Sequence, residues 1–191
     1  MLEQKIQEYA ATKGFHPHTV QRWLRWEARD GASLLDIAMA LKAGENHVRD
    51  LMDWLEEISI RDGIVIADIL EGEAIDRIKT DPRLGRADRL KRIKEQVRRL
   101  RFPRLSRLED SISSRIRDLK LPSGVKVSVP AGLEGGDLRF DFAVSSPAQL
   151  RQVLGKLSAA AESQPLAEIF ALINDADVAD ATRVSFEHGE V

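Results

Sequence analysis

Arginine and lysine side chains are concentrated in residues 83–107, and their chemistry suits the neutralisation of phosphate groups. This segment carries eleven basic residues against two acids, Asp88 and Glu95, whereas the whole chain of 191 residues has a formal net charge of -2. Nine of the eleven are arginines, whose planar guanidinium makes bidentate contacts with phosphate or carboxylate. Two interpretations stay open: a polyanionic partner, or ion pairs with the acidic parts of the same chain.

The rest of the chain carries the opposite charge. Residues 1–80 have 10 basic and 15 acidic side chains, residues 81–120 have 14 and 6, and residues 121–191 have 5 and 10, giving local balances of -5, +8 and -5. If the basic segment makes roughly six to ten phosphate contacts, binding should weaken about 10³ to 10⁵-fold between 50 and 200 mM salt. If the basic residues are instead paired with acidic residues of the same chain, this salt-dependent binding to phosphates is not expected.

Apolar residues repeat through the basic segment at helical spacing. Leu90, Ile93, Val97 and Leu100 repeat at three, four and three residues, which predicts an amphipathic connecting helix across residues 81–105 with basic residues on its other faces. Pro103 must kink or end that helix, because proline lacks an amide donor and clashes with the preceding turn. The residues expected to contact phosphates are Arg86, Arg89, Arg92, Lys94, Arg98, Arg99 and Arg101.

The N-terminal part reads as a set of short helices. The predicted helices are residues 2–13, 17–28 with Gly31 as the terminator, 33–41 with Ser33 as N-cap, 46–57 and 67–79. Between the last two, the runs Ile58-Ser59-Ile60 and Ile64-Val65-Ile66 flank a turn that contains Asp-Gly. Because β-branched residues favour strands and Asp-Gly favours tight turns, a hairpin is predicted across residues 58–66.

Three helices followed by a hairpin resembles the winged-helix DNA-binding domains, over residues 17–67. The resemblance implies that residues 46–57 form the recognition helix and that the Arg61–Gly63 turn is the wing tip. The DNA contacts it implies are Asn46, His47, Arg49 and Arg61. The same helix carries several acids that would repel phosphates, and winged helices also bind proteins, so a protein contact and a purely structural role are the alternatives.

The C-terminal part predicts the order helix, strand, strand, helix over residues 106–161. A capping box opens the first helix at Ser106, apolar residues alternate in two short runs, and Ser146 caps the last helix. This order, with the sequences Gly136-Asp137-Leu138-Arg139-Phe140-Asp141-Phe142 and Ser145-Ser146-Pro147-Ala148-Gln149-Leu150, resembles the C-terminal dimerisation domain of ParB-type partition proteins. The dimer contacts expected on this basis are Ile112, Ile116, Leu138, Phe140, Phe142, Leu150 and Leu154.

That resemblance implies a homodimer in which strands pair between subunits, and an isolated two-stranded hairpin is marginal in water on physical grounds as well. Nothing in the chain resembles the family's N-terminal nucleotide-binding domain, so CTP chemistry is not carried over. The predicted fold is α+β and mainly helical. Its parts are a winged-helix-like domain at 1–80, the basic connecting helix at 81–105, an α-β-β-α dimerisation domain at 106–173 and an acidic tail at 174–191.

The functional prediction is a cytoplasmic, homodimeric DNA-binding protein of the chromosome-partition, nucleoid-associated or transcription-regulatory type. The alternative is a protein-protein adaptor that binds its partners through the winged-helix-like domain and the basic helix. We predict no enzyme, no catalytic residues and no cofactor, because the sequence has no Gly-rich phosphate loop, nucleophile elbow or metalloprotease helix. No metal site is predicted either, since His16 and His18 lack nearby partner ligands and the chain has no cysteine. No apolar run approaches the length of a membrane span, so no membrane association is expected.

Overall fold

The computed structural model describes residues 1–130, 133 and 137–174, and helix accounts for 73% of it. The elements are α1 (Leu2–Lys13), α2 (Pro17–Leu24), α3 (Ala28–Leu41), α4 (Glu45–Asp62), α5 (Ile66–Leu70), α6 (Glu73–Thr80), α7 (Arg86–Arg101), α8 (Pro103–Asp118), β1 (Val125–Ser128), β2 (Arg139–Phe142) and α9 (Pro147–Ala161). Residues 164–174 are also helical. The fold is α+β and mainly helical, as predicted. The predicted acidic tail, from residue 175 on, lies outside the described residues, as does most of the Gly-rich loop at 131–136. Within the described ranges, no helix has the length and apolarity needed to cross a membrane.

The chain divides into two compact units, residues 1–103 and 104–191. The first unit contains α1 to α7 around one continuous apolar core, to which α7 contributes Leu90, Ile93 and Val97. Each of these buried aliphatic side chains stabilises the packing by roughly 1.5–3 kcal/mol. Because α7 packs against α3, α4 and α6, it is an integral helix of the first unit and not the separate connector predicted for 81–105.

A three-residue turn, residues 42–44, joins α3 to α4. Lys42 ends α3 in the left-handed conformation, at φ 52°, and its amide bonds the carbonyls of the last helical turn. The Tyr9 hydroxyl, from α1, lies 2.7 Å from the carbonyl oxygens of both Ala38 and Ala43 and donates its hydrogen to this pair. Partial burial raises the pKa of that hydroxyl. Tyr9 of α1 therefore holds the turn between α3 and α4 in place.

The hairpin predicted for residues 58–66 is wrong, and with it the wing of the winged-helix resemblance. Residues 58–62 are the last turns of α4, because Ile58 continues the buried helical stripe of Leu51 and Leu55. Gly63 adopts φ 67°, and its amide donates to the Ser59 carbonyl at 2.9 Å. The Asp-Gly pair thus supplies a left-handed helix C-cap instead of a hairpin turn.

Other helix boundaries in the first unit also differ from the prediction. α2 ends at Leu24, and Gly31, predicted as its terminator, lies inside α3 against Trp23. Ser33, predicted as an N-cap, is buried in mid-helix, where its hydroxyl donates to the Glu71 carboxylate at 2.6 Å. Burial of this face of α3 outweighs the roughly 1 kcal/mol by which Gly31 disfavours a helix. The single helix predicted at 67–79 is two helices, α5 and α6, because Gly72 is the N-cap of the second.

The second unit combines α8, the two-stranded sheet, α9 and the 164–174 segment. The strands are antiparallel, with Val125 opposite Phe142 and Ser128 opposite Arg139. α8 begins at Pro103, three residues before the predicted capping box, so Ser106 is buried inside the helix. α9 begins as predicted, with the Ser146 hydroxyl accepting from the Gln149 amide. The 164–174 helix was not predicted. Its Ile169 and Ile173 are fully buried beside Ile112 of α8, in a cluster with Leu133.

Candidate nucleic-acid interface

Helix α4, the predicted recognition helix, lies between α2 and α7. Its inner face is buried, with Val48, Leu51 and Leu55 each 0% exposed. The opposite face is open to solvent and begins with Asn46, His47 and Arg49 in the first turns. Its flanks are covered by side chains of α2 on one side and α7 on the other. The three predicted base-contacting residues of the first turns are therefore all solvent-exposed.

Ion pairs join α4 to α7 along one flank. The Lys94 ammonium lies 2.5 Å from the Asp50 carboxylate and 5.2 Å from the ring centroid of Trp54. Further along both helices, the Arg101 guanidinium of α7 makes two hydrogen bonds, 2.5 and 2.6 Å long, to the Glu57 carboxylate of α4. Asp50 precedes Glu57 in α4, and its partner Lys94 precedes Arg101 in α7. The two helices therefore run side by side in the same direction.

Arg61, predicted at a wing tip, is instead a capping residue at the end of this flank. Its guanidinium donates to the main-chain carbonyls of Leu100 and Arg101, at 2.8 and 2.5 Å, and pairs with Asp62. Terminal helix carbonyls have no partner within their own helix, so Arg61 satisfies two of them in α7. A wing contact with DNA is excluded for this residue because no wing exists there.

Arg22 of α2 neutralises carboxylates on the other flank of α4. Its guanidinium lies 2.5 Å from Asp53 and 2.6 Å from Glu56, and the Trp26 indole also donates to Glu56 at 2.7 Å. The hydrogen bond to Glu56, followed by that to Asp53, raises the pKa of the Arg22 guanidinium. The acidic half of α4 is thus matched by cations of α2 and α7.

Glu45, at the start of α4, is held in the same way but by neutral donors. Its carboxylate accepts from the Thr19 hydroxyl at 2.6 Å and from the His16 amide at 3.0 Å. The Thr19 hydrogen bond is the largest cause that lowers the pKa of this carboxyl. The first turn of α4 is therefore tied to the first turn of α2.

The seven basic residues predicted on α7 fall into three groups. Lys94, Arg98 and Arg101 pair with carboxylates, Arg98 with Glu95 of its own helix, and Arg89 donates to the Asp81 carbonyl. Arg99 is half-buried. Arg86 and Arg92 are exposed and make no hydrogen bond or ion pair to the described residues, and the same is true of Lys91, which the sequence analysis did not select.

The exposed cations of α7 lie in its first half, and one of them, Lys91, lies beside the first turns of α4. The link between the two is Lys94, whose ammonium is 3.4 Å from the His47 imidazole Nδ1. Lys91 precedes Lys94 by three residues and so lies about one helical turn earlier on the same flank. Asn46, His47 and Lys91 thus belong to one solvent-exposed surface.

The predicted dimer contacts in the second unit divide between an internal core and the surface. Ile112 is 1% exposed and packs within the chain, together with Ile116 and Leu138, while Phe140 is half-buried. The exposed ones are Phe142, Leu150 and Leu154, at 38%, 37% and 50%.

No family model matches the sequence, and comparison with curated proteins and with solved structures finds no match.

Proposed function

We propose that this chain is a homodimeric DNA-binding protein, in which the first unit contacts the duplex and the second joins two copies. The observation that carries the proposal is the contact of Lys94 with Asp50 and His47, which puts the exposed first turns of α4 beside the exposed basic half of α7. A solvent-exposed helix start with polar side chains suits base edges, and neighbouring cations suit the phosphate backbone. The proposed phosphate contacts are Arg86, Lys91 and Arg92.

The acids of α4, which argued against DNA contact, are accounted for by their partners. Asp50 pairs with Lys94, Glu57 pairs with Arg101, and both Asp53 and Glu56 pair with Arg22. Three cations thus lie within 4 Å of these four carboxylates, since Asp53 and Glu56 share Arg22, and they cancel most but not all of the repulsion of a phosphate at the distance of a docked duplex. The cations that pair with these acids are not available to phosphates, so the proposed contact set is smaller than the one predicted from sequence.

Fluorescence anisotropy of a labelled random duplex, titrated at several salt concentrations, tests the DNA half of the proposal. Each phosphate contact contributes about 0.9 to the slope of log affinity against log salt. The triple variant Arg86→Gln, Lys91→Gln, Arg92→Gln should therefore lower that slope by about 2.7. The matched control, with the same loss of charge at exposed lysines elsewhere, is Lys5→Gln, Lys126→Gln, Lys156→Gln. No binding by the unaltered protein at about 50 mM salt would end the proposal.

The homodimer half is supported by the exposed apolar side chains of β2 and α9. In the helix, Leu150 and Leu154 lie four residues apart on one stripe, and only Val153 and Ala160 are buried. A second copy that covers Leu150, Leu154 and Phe142 would remove this apolar surface from water and protect the edges of a sheet of only two strands. Two linked DNA-binding units would then bind one duplex with a raised effective concentration.

Light scattering at high micromolar concentration tests the dimer directly. We expect the mass of two chains for the unaltered protein and of one chain for the Leu150→Ser, Leu154→Ser variant. Gln152→Ser, at an exposed position of the same helix, is the control that should remain a dimer. A monomer for the unaltered protein would refute this half without touching the DNA half.

A protein-protein adaptor is the second candidate, and one observation favours it. The exposed apolar residues Ile60, Leu100 and Phe102 lie at or next to the ends of α4 and α7, where Arg61 joins the two helices. Exposed apolar surface at such a junction is typical of protein interfaces. Under this hypothesis, Ile60→Ser should weaken partner binding, whereas the slope of DNA affinity against salt would be absent in every variant.

A further inference from the structure

A groove runs between α2 and α4, on the side of α4 that faces away from α7. Two neighbouring cavities, of about 360 and 260 Å³, make up this groove and share the side chains of His18 and Arg22. The first cavity also includes Arg25, and the second includes Arg49. The groove is thus lined from both helices, and its lining includes three arginines and two carboxylates.

Two of these cations have no hydrogen-bonded partner in the part of the chain that the structure describes, although the charge of Arg49 acts on the nearby Glu45 carboxylate. Arg25 and Arg49 are exposed and make no hydrogen bond or ion pair to the described residues. The groove's two carboxylates, by contrast, are both occupied: Glu56 by Arg22 and Trp26, and Glu45 by the Thr19 hydroxyl and the His16 amide. An anion in the groove would meet two unpaired guanidinium groups and two carboxylates whose hydrogen-bonding capacity is largely used.

We infer that this groove is a second phosphate-binding surface, so that the backbone of nucleic acid is held on both flanks of α4. The inference rests on the proposed DNA function and adds to it the residues Arg25 and Arg49. The first flank is the basic half of α7, with Arg86, Lys91 and Arg92; the second is the α2–α4 groove. Arg49 therefore acts as a phosphate contact here, and not as the base-reading residue that the resemblance implied.

The width of the duplex groove explains why both flanks of one helix can be used. The major groove is about 12 Å wide and admits a single helix, with a phosphate strand along each side. A helix that enters the groove with cations on one flank contacts one strand, whereas cations on both flanks contact the two strands together. Guanidinium groups suit this role, because they make bidentate hydrogen bonds with phosphate oxygens.

The double variant Arg25→Gln, Arg49→Gln tests the inference in the same anisotropy assay. Two lost contacts should lower the slope of log affinity against log salt by about 1.8. The same decrease should appear when the double variant is combined with the triple variant of α7, because the two surfaces contact different strands. Neither arginine makes a hydrogen bond or ion pair to the described residues, so circular dichroism and the thermal midpoint should match those of the unaltered protein.

The outcomes separate the inference from the function it rests on. If the unaltered protein does not bind the duplex, the proposed function fails. A second outcome is that the unaltered protein binds and the Arg25→Gln, Arg49→Gln variant keeps the same slope of log affinity against log salt, as the Lys5→Gln, Lys126→Gln control should. The groove is then not a phosphate-binding surface, and only the inference fails. Unchanged duplex binding with loss of binding to a polyglutamate peptide would assign the groove to an acidic protein partner and would overturn it as well.

Discussion

Replacing Ile58 and Ile60 separately by alanine distinguishes a helix from a hairpin at the end of α4. In a strand the two side chains would point to the same face, because the side-chain period is two residues. In α4 they are about 200° apart around the axis: Ile58 is 1% exposed and Ile60 is 86% exposed. Truncating a buried isoleucine to alanine costs about 2–5 kcal/mol, so we expect about 3 kcal/mol for Ile58→Ala. For Ile60→Ala we expect less than about 0.5 kcal/mol, since alanine is also the better helix former.

Urea unfolding followed by tryptophan fluorescence measures both changes. All three tryptophans, at 23, 26 and 54, lie in the first unit, so the signal reports the unfolding of that unit. With an m value of about 2 kcal/mol/M, the midpoint for Ile58→Ala should fall by about 1.5 M urea, and that for Ile60→Ala should stay within about 0.3 M. Equal losses of stability in the two variants would refute the helical account of residues 58–62.

Three further predictions concern single contacts in the first unit. Asp30→Ala removes a buried acceptor of the Ala67 amide, at 2.7 Å, and should cost about 1–2 kcal/mol in the urea assay, with Asp30→Asn, which keeps an acceptor, costing less. Gly63→Ala places a side chain at φ 67° with open space around it, so backbone strain alone should cost about 1–2 kcal/mol. The hydrogen bond from Arg83 lowers the pKa of Asp81 to about 2. The folded state therefore gains stability from this carboxylate above its unfolded pKa, and loses it as the pH falls through 2. Arg83→Gln should raise the pKa of Asp81 toward its ordinary value in a carboxyl NMR titration, and an unchanged value would contradict the assignment.

The apolar periodicity was sufficient to predict most helices, because amphipathic spacing survives in any packing that buries one face. Three residues of the predicted α7 seam, Leu90, Ile93 and Val97, are buried, and the Ser146 cap of α9 is confirmed. The fourth, Leu100, is 39% exposed at the end of the helix, so that part of the prediction is wrong. The failures are at residues whose local preference conflicts with burial. Ser33 has N-cap chemistry and the 58–66 segment has hairpin chemistry, yet Ser33 and residues 58–62 lie inside helices because Ser33 and Ile58 are buried.

The number of basic residues on α7 did not predict which of them are paired within the chain. Counting residues predicted a basic helix; Lys94 and Arg101 pair with α4, as one interpretation expected, whereas Arg86 and Arg92 are exposed and the polyanionic partner stays a prediction. Spacing within one helix does not say which neighbour each face will meet. The unpaired Arg25 of α2 could not be selected for the same reason, because its position in a groove depends on how α2 packs against α4.

The reciprocal link between the ends of α4 and α7 has a consequence for local opening of the first unit. Arg61 of α4 bonds the last carbonyls of α7, and Arg101 of α7 bonds Glu57 of α4. Helix ends ordinarily fray independently and exchange their amide hydrogens at different rates. Because each of these ends supplies a partner for the other, the last turns of both helices should open as one cooperative unit, with matching hydrogen-exchange protection.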